Sequence, residues 1–143
     1  MKKGYIKLLE IISDGNVHSG EELAAYLNVS RAAIWKSIKY LGTLGLEIRA
    51  VRGKGYCLQK KFEFLSKQDI SDMMSPGSKK SFRDIDIVFE VKSTNIYLLN
   101  RLSYDVIHGS VVFAEYQSDG RGRRNKKWFS PIGSGICFSV GWR

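Results

Sequence analysis

The chain has 143 residues, of which 43% are hydrophobic and 26% are charged, with only 2 prolines, and this composition excludes disordered and collagen-like proteins. The sequence contains no run of about 18 apolar residues, so no transmembrane helix is predicted. The formal net charge is +9, and five of the basic residues fall between Arg121 and Lys127, where a bland basic surface would spread them.

The cysteines and the N-terminus indicate a cytoplasmic protein. Cys57 and Cys137 each lie in a strand-like stretch, with no CxxC pattern and no nearby histidine, so we expect reduced core residues and no metal site. Met1, Lys2 and Lys3 precede a charged, periodic segment that lacks the small-residue cleavage site of a secretory signal.

Three helices are predicted at the start of the chain. Apolar residues recur at helical spacing in the first and third of them, at Tyr5, Leu8, Leu9 and Ile12, then at Ile34, Ile38 and Leu41. Ser19 begins the second helix in a Ser-x-x-Glu capping box with Glu22, and Ser30 is placed to cap the third. Gly42 and Gly45 are expected to end the third helix.

A hairpin is predicted after these helices. Two β-like runs, Glu47–Arg52 and Gly55–Leu58, are joined by Gly53-Lys54-Gly55, a turn rich in residues that tolerate positive φ. Two short helices joined by a tight turn, followed by a hairpin, describe a winged helix-turn-helix, whose second helix fits the major groove of DNA. We place this domain at residues 1–62.

Basic and aromatic residues lie on the open face of the third helix and at the hairpin tip. Arg31 and Lys36 suit phosphate or guanine, and Trp35 suits a thymine methyl or a sugar. With the two capping serines, the predicted DNA-binding set is Ser19, Ser30, Arg31, Ala32, Trp35, Lys36, Lys39, Arg52 and Lys54. The alternative is a small helical domain with a solvated basic face, against which an exposed Trp35 argues.

Residues 63–143 are predicted to form a second domain, which makes the fold class α+β. Its predicted elements are a helix from Ser66 to about Met74, a break at Pro76-Gly77, a strand from Ile85 to Glu90, a helix carrying Leu98, Leu99 and Leu102, a turn at His108-Gly109, a strand from Ser110 to Gln117, a loop over residues 118–134 and a strand from Ile136 to Trp142.

A glycine- and arginine-rich loop follows the strand that ends at Gln117. It reads Gly120-Arg121-Gly122-Arg123-Arg124-Asn125-Lys126-Lys127-Trp128. Glycines let the backbone approach a ligand, arginines offer forked donors to carboxylate or phosphate, and Trp128 suits stacking on a base. These are the parts of a loop that closes over an anionic nucleotide, although the sequence is neither a Walker A nor a GxGxxG motif. A second nucleic-acid patch or a flexible surface loop is the alternative.

Ser93-Thr94-Asn95 stands at a predicted strand-to-helix junction. Its hydroxyls, its amide and the free backbone donors there suit a small polar ligand, and a plain helix cap is the alternative. His18 and His108 lie in turns without a visible metal or catalytic partner, so both are predicted to be structural.

Taken in this order, the two groups of residues resemble the bifunctional biotin protein ligases that are also biotin operon repressors. The motifs that carry the resemblance are His18-Ser19-Gly20-Glu21, Ser30-Arg31-Ala32-Ala33-Ile34, Gly53-Lys54-Gly55-Tyr56, Ser93-Thr94-Asn95, and Ala114-Glu115-Tyr116-Gln117 with the Gly-Arg loop and Trp128-Phe129-Ser130-Pro131. The resemblance implies that residues 63–143 form the first strands and helices of a class II synthetase-like biotin ligase catalytic domain.

The resemblance also implies an activity and its partners. Such proteins join biotin and ATP, with Mg²⁺, into biotinyl-5′-AMP and then pass biotin to a lysine of a biotin carboxyl carrier protein. The adenylate is also the corepressor, because the loaded protein forms a homodimer that represses the biotin operon at its operator DNA.

Site residues follow from the same resemblance. Ser93, Thr94 and Asn95 match the biotin-site segment, and Gln117 matches the residue that meets the biotin ureido group. The loop that orders over biotin and the adenylate phosphate corresponds to Gly120, Arg121, Gly122 and Arg123. Arg121 and Arg123 are the implied catalytic residues, and Trp128 matches the residue that packs on the adenine.

Two departures from the family pattern stand out. Asn125 occupies a position where the family usually has glycine, and asparagine tolerates left-handed φ better than most residues. The family's later Lys-Trp-Pro-Asn-Asp segment, whose lysine contacts biotin and the reacting phosphate, does not occur in this sequence. We therefore expect a truncated domain that is inactive alone, with the last strand as an exposed apolar edge. The alternative is a short DNA-binding transcriptional regulator with a non-catalytic effector-binding remnant.

Overall fold

The computed structural model describes residues 2–101 and 108–142. Two units, Met1–Glu63 and Phe64–Arg143, make most of their contacts internally. Within the described ranges, no helix is long and apolar enough to cross a membrane.

The first unit contains three helices and a two-stranded sheet, which are α1 (Lys2–Ile12), α2 (Gly20–Leu27), α3 (Arg31–Thr43), β1 (Ile48–Val51) and β2 (Gly55–Leu58). Both predicted serine caps form. Ser19 Oγ accepts a hydrogen bond from Glu22 N–H at 3.0 Å, and Ser30 Oγ accepts one from Ala33 N–H at 3.2 Å. Between α2 and α3 the chain turns at Asn28, whose φ of 51° is left-handed. The tight turn between two capped helices is the expected helix-turn-helix.

The core of the first unit is built from the predicted apolar positions. The least exposed side chains there are Leu8, Leu9, Ile12, Leu23, Ile34 and Leu41. Burying a side chain of this kind contributes about 1.5–3 kcal/mol, so these residues dominate the stability of the unit.

The end of α3 differs in part from the prediction. The helix runs through Gly42 to Thr43, so the expectation that Gly42 ends it was wrong. The chain reverses instead at Gly45, which has a φ of 96°. Gly45 therefore ends the helix region as the sequence predicted, and Leu44 and Leu46 on either side of it are buried.

The wing is an antiparallel hairpin that is tied to the segment before α2. β1 and β2 pair from Ile48 opposite Leu58 to Val51 opposite Gly55. His18 and Tyr56 then form a β-bridge, in which each N–H donates to the other's carbonyl oxygen at 2.9 Å. The His18 ring also gains a partner that the sequence did not reveal, because its Nε2 lies 3.1 Å from an Asp14 carboxylate oxygen.

The second unit contains α4 (Lys67–Met73), α5 (Pro76–Ser81), β3 (Asp84–Val91), α6 (Thr94–Arg101), β4 (Ser110–Gln117), β5 (Gly120–Arg121), β6 (Lys127–Trp128) and β7 (Cys137–Val140), with a 3₁₀ turn at Arg123–Asn125. β3 and β4 are parallel, and β7 adds antiparallel to β4, in the order β3-β4-β7. The sheet is therefore mixed, with α6 as the crossover between its two parallel strands.

Two predictions for this unit need correction. Pro76 does not break a helix but begins α5, at a first-turn position where proline's fixed φ and missing N–H are tolerated. The predicted loop over residues 118–134 contains the short hairpin of β5 and β6. Leu98 and Leu99 lie on α6 as predicted, and of the two Leu98 is buried whereas Leu99 is 53% exposed. The predicted helical position Leu102 lies outside the described residues.

The last strand lies at an edge of this sheet. β7 pairs with β4 alone among the described strands, and Ile136 and Phe138 are exposed beside it, as the sequence predicted. Phe138 stacks on Phe113 of β4 with ring centroids 5.6 Å apart. Cys57 and Cys137 are both free and buried, as expected.

Polar contacts fasten the C-terminal turn of α6 to β3. Arg101 bonds the carboxylates of Asp84 and Asp86, and Tyr97 donates its hydroxyl to Asp86 at 3.2 Å. Burial, together with the nearby Asp86 carboxylate, raises the pKa of Tyr97, which further favours the protonated, donating form of the hydroxyl.

Candidate nucleic-acid interface and ligand-binding loop

A cleft of about 660 Å³ separates α3 from the wing. It brings together six of the nine predicted DNA-binding residues, which are Ser19, Arg31, Ala32, Trp35, Arg52 and Lys54. Trp35 is 52% exposed there, so its ring is available to a partner. The cleft therefore joins the start of α3 to the hairpin tip as one cationic surface.

Three predicted residues lie elsewhere on the unit. Ser30 is used as the cap of α3. The Lys39 ammonium lies 5.6 Å from the centroid of the Trp35 ring, a cation–π distance that holds it beside the cleft. Lys36 lines a separate groove of about 470 Å³ next to α1. Lys36 and the wing are therefore not brought to one cleft.

In the second unit, a hydroxyl cluster forms where α6 begins. Thr94 N–H donates to Gln117 Oε1 at 2.8 Å, and the Thr94 hydroxyl donates to the same oxygen at 3.2 Å. The Thr94 hydroxyl also lies 2.8 Å from Ser139 Oγ on β7. Ser93 and Thr94 are buried, whereas Asn95 is exposed. Sequence reasoning missed Ser139, because its contact with Thr94 joins two residues far apart in the chain.

The Gly-Arg loop is a hairpin beside this cluster. Gly120 pairs with Trp128 and Arg121 with Lys127, and Gly122 N–H donates to the Lys126 carbonyl oxygen at 2.7 Å. The left-handed residue of the loop is Arg124, with a φ of 56°. The left-handed conformation that the sequence argument considered for Asn125 is therefore found at its neighbour, Arg124.

A pocket of about 790 Å³ lies between this hairpin and β7. The predicted residues that line it are Gln117, Arg121, Gly122, Arg123 and Trp128, together with Lys126 and Lys127. Ser93, Thr94 and Asn95 do not line the pocket, and Thr94 reaches it only through its hydrogen bonds to Gln117. Gly120, at the start of the hairpin, is buried and does not line the pocket.

All the charged side chains that line the pocket are positive. Four of its lining residues are cations, and none of them has an ion-pair partner among the described residues. Trp128 is 61% exposed at the same mouth. Uncompensated guanidinium and ammonium groups beside an open aromatic ring suit an anion that carries a flat ring. Within residues 2–101 and 108–142, no three His, Cys, Asp or Glu side chains cluster as metal ligands.

On β4, Glu115 is a buried carboxyl group that sequence reasoning did not single out. It is 8% exposed, and its Oε1 accepts a hydrogen bond from Leu65 N–H at 2.6 Å. Burial raises the pKa of Glu115, and the hydrogen bond from Leu65 opposes part of that shift.

This raised pKa predicts a loss of stability with rising pH. The folded state keeps the proton at pH values where the unfolded chain has lost it, so stability falls from about pH 4.5 upward, through the raised folded pKa, by about 1.4 kcal/mol for each pKa unit. Glu115→Gln should abolish this fall, because the amide does not ionise. Urea midpoints measured by Trp128 and Trp142 fluorescence in a Trp35→Phe background test this, with the exposed Asp119→Asn as the control. An unchanged pH profile in Glu115→Gln would contradict the assignment.

Two segments of this chain match known protein families. Residues 6–57 match the HTH domain family, and residues 88–143 match the Biotin/lipoate A/B protein ligase family. The chain thus joins a helix-turn-helix domain to part of a biotin/lipoate protein ligase domain.

The individual proteins to which this chain is similar include ligase/repressors and a biotin ligase. The chain is 39% identical over 138 residues to the bifunctional ligase/repressor BirA of Escherichia coli, a match that covers 96% of this chain and 41% of that protein. It is 34% identical over 136 residues to the bifunctional ligase/repressor BirA of Bacillus subtilis, covering 93% of this chain and 41% of that protein. It is also 38% identical over 68 residues to the biotin–[acetyl-CoA-carboxylase] ligase of Mycobacterium tuberculosis, a match that covers 47% of this chain and 26% of that protein. This chain matches the N-terminal part of the bifunctional ligase/repressors, as the sequence motifs indicated, and spans about two-fifths of their length.

Proposed function

We propose that this chain carries the DNA-binding and adenylate-binding functions of a biotin protein ligase that is also the repressor of biotin synthesis genes. The observation that carries the ligase assignment is the cationic hairpin beside Gln117, within the segment that matches the ligase family. The repressor assignment rests on the cleft between α3 and the wing.

The chemistry of the proposed reaction fits the residues around the pocket. The biotin carboxylate attacks the α-phosphorus of ATP and releases pyrophosphate, and a carrier-protein lysine then attacks the acyl carbon and releases AMP. Both steps place negative charge on phosphate oxygens, which guanidinium donors at fixed positions stabilise. We assign this role to Arg121 and Arg123, the biotin ureido contact to Gln117, and the adenine contact to Trp128.

The remaining assignments concern the residues that support these contacts. Thr94 holds the Gln117 side chain in place, and Ser93 and Asn95 flank it at the start of α6. Gly120 and Gly122 keep the hairpin backbone close to the ligand. Mg²⁺ is proposed to arrive with ATP and to neutralise the phosphates that leave as pyrophosphate.

A matched pair of charge substitutions tests the adenylate site. Arg121 lines the pocket, whereas Arg124 lies on the same hairpin outside it. We expect Arg121→Gln to weaken binding of biotinyl-5′-AMP about tenfold, because one charge-assisted hydrogen bond is lost, and Arg124→Gln to change it little. Isothermal titration of both variants measures this, and equal losses would contradict the assigned pocket.

Completion of biotin transfer is tested separately from binding of the adenylate. The family's lysine that contacts the reacting phosphate has no counterpart in these 143 residues. We therefore propose that they bind the adenylate but do not complete biotin transfer alone. Incubation with biotin, ATP, Mg²⁺ and a biotin carboxyl carrier protein, followed by mass spectrometry of the carrier, tests this. Robust biotinylation by the 143-residue chain would contradict it.

The DNA-binding half is tested at the wing tip. Lys54 lines the cleft, whereas Lys60 is exposed outside it. Each phosphate contact adds about 0.9 to the slope of log affinity against log salt. We expect Lys54→Ala to lower that slope by about one on duplex DNA, and Lys60→Ala to leave it unchanged. Equal slopes for the two variants would place the DNA elsewhere.

The proposal also includes the partners of such a repressor. Loaded with adenylate, the protein would form a homodimer on operator DNA in the cytoplasm, a setting that agrees with its two unpaired buried cysteines. Sedimentation of the chain with operator-length DNA, with and without biotinyl-5′-AMP, measures that coupling.

A further inference from the structure

One arginine of the cleft differs from its other cations because a carboxylate already holds it. Arg31 is the first residue of α3, and its Nη1 donates to Oε1 of Glu21 on α2 at 2.9 Å. Arg52 and Lys54 line the same cleft, and neither has an ion-pair partner among the described residues. Among the cations that line the cleft, Arg31 is thus paired with a carboxylate, whereas Arg52 and Lys54 have no ion-pair partner among the described residues.

The Arg31 side chain lies close to Gly20, the first residue of α2. A methyl group placed on Gly20 would come 3.9 Å from Arg31 Nε and 3.7 Å from Tyr56 Cε2. The Arg31 side chain therefore passes over the N-terminus of α2, next to the wing residue that bridges to His18. The pair is still open to solvent, with 70% of the Arg31 side chain and 77% of the Glu21 side chain exposed.

Exposure means that the pair adds little to stability, but its charge matters to an approaching polyanion. A carboxylate beside the guanidinium repels a phosphate group and occupies one of the five N–H donors of arginine. Guanine is a neutral base whose O6 and N7 acceptors carry only partial charge, so the same carboxylate opposes a contact with them much less. The four remaining donors still suffice for a bidentate base contact.

We propose that Glu21 is a specificity-determining residue, which keeps Arg31 from acting as a general phosphate contact and reserves it for a base edge. This inference rests on the proposed DNA-binding function of the first unit. It assigns sequence-independent affinity to the wing cations and discrimination to the start of α3.

The experiment uses mixed-sequence duplex DNA, on which base contacts average out. Fluorescence anisotropy measures the affinity of the full chain between about 50 and 200 mM salt. Glu22→Gln is the matched control, because it removes the same charge from the same turn of α2 and Glu22 forms no ion pair with any described residue. Thermal unfolding by far-UV circular dichroism checks that all variants are folded.

We expect Glu21→Gln to steepen the salt slope by about 0.9 and to raise the affinity about threefold at the low-salt end relative to Glu22→Gln. Adding Arg31→Ala to Glu21→Gln should remove the gain, since the new phosphate contact is made by Arg31. If Glu21→Gln and Glu22→Gln behave alike, or if the gain survives Arg31→Ala, the inference is overturned while DNA binding stands. If no variant binds duplex DNA, both the proposed DNA-binding function and this inference fail.

Discussion

Replacing Gly55 with alanine is expected to destabilise the first unit by about 3 kcal/mol or more, combining backbone strain with the loss of two hydrogen bonds. The φ of Gly55 is 137°, and a Cβ there would lie 1.9 Å from the His18 carbonyl oxygen. The obstacle is backbone, so it moves only if the bridge between His18 and Tyr56 opens. For a unit of this size the melting temperature should fall by about 12 °C or more.

Two other glycines of the same unit serve as controls. Gly53 has a φ of 71° but nothing within 4 Å of a Cβ, so Gly53→Ala should cost only the strain of the positive φ, about 1 kcal/mol. Gly42 lies inside α3 with open space around it, so Gly42→Ala should stabilise by about 0.5–1 kcal/mol. Thermal unfolding at 222 nm and hydrogen exchange of the Tyr56 amide measure the series. Equal effects at Gly55 and Gly53 would show that the bridge is not under this constraint.

Replacing Gly120 with alanine is expected to weaken biotinyl-5′-AMP binding by about thirtyfold or more, a larger loss than Arg121→Gln. A Cβ at Gly120 would lie 2.7 Å from the Trp128 carbonyl oxygen, which belongs to the paired strand β6. The two strands must separate to relieve this contact. Arg121 and Trp128 then move together, so several ligand contacts are lost at once instead of one.

Gly135 supplies the control for this prediction. A Cβ there meets only the Ser130 hydroxyl at 3.5 Å, an ordinary contact with a side chain that can rotate. Gly135→Ala should therefore leave ligand affinity within about twofold of the unsubstituted chain, in keeping with the small effect of surface changes away from a site. Calorimetric titration of both variants gives the comparison, and retained affinity in Gly120→Ala would show that the hairpin does not position the ligand contacts.

Local signals predicted the helices of the first unit because they act within one turn of the chain. Ser19 and Ser30 cap their helices through bonds to residues three positions ahead, and the buried leucines follow helical spacing. At the end of α3, Gly45 turns the chain as predicted, whereas Gly42 stays helical, since one glycine inside a helix costs only about 1 kcal/mol.

The parts of the sites that escaped prediction depend on contacts between distant positions. Ser139 reaches Thr94 across 45 residues, and Glu115 reaches Leu65 across 50. The β5–β6 hairpin shows no alternation of apolar and polar residues, since its strands have two residues each, so periodicity gave no sign of it. The ion pair of Glu21 with Arg31 likewise escaped prediction, because it joins residues of two different helices.

The bridge between His18 and Tyr56 also determines where this domain tolerates changes in length. It fixes the wing at its base, and a one-residue insertion between Tyr56 and Cys57 would turn each of the buried residues Cys57 and Leu58 to the face opposite its present one. At the tip, Gly53 has open space around it, so residues added there extend the hairpin without disturbing the core. Under the proposed DNA-binding function, such insertions would lengthen the reach of the wing along a duplex and leave the helices beneath it unchanged.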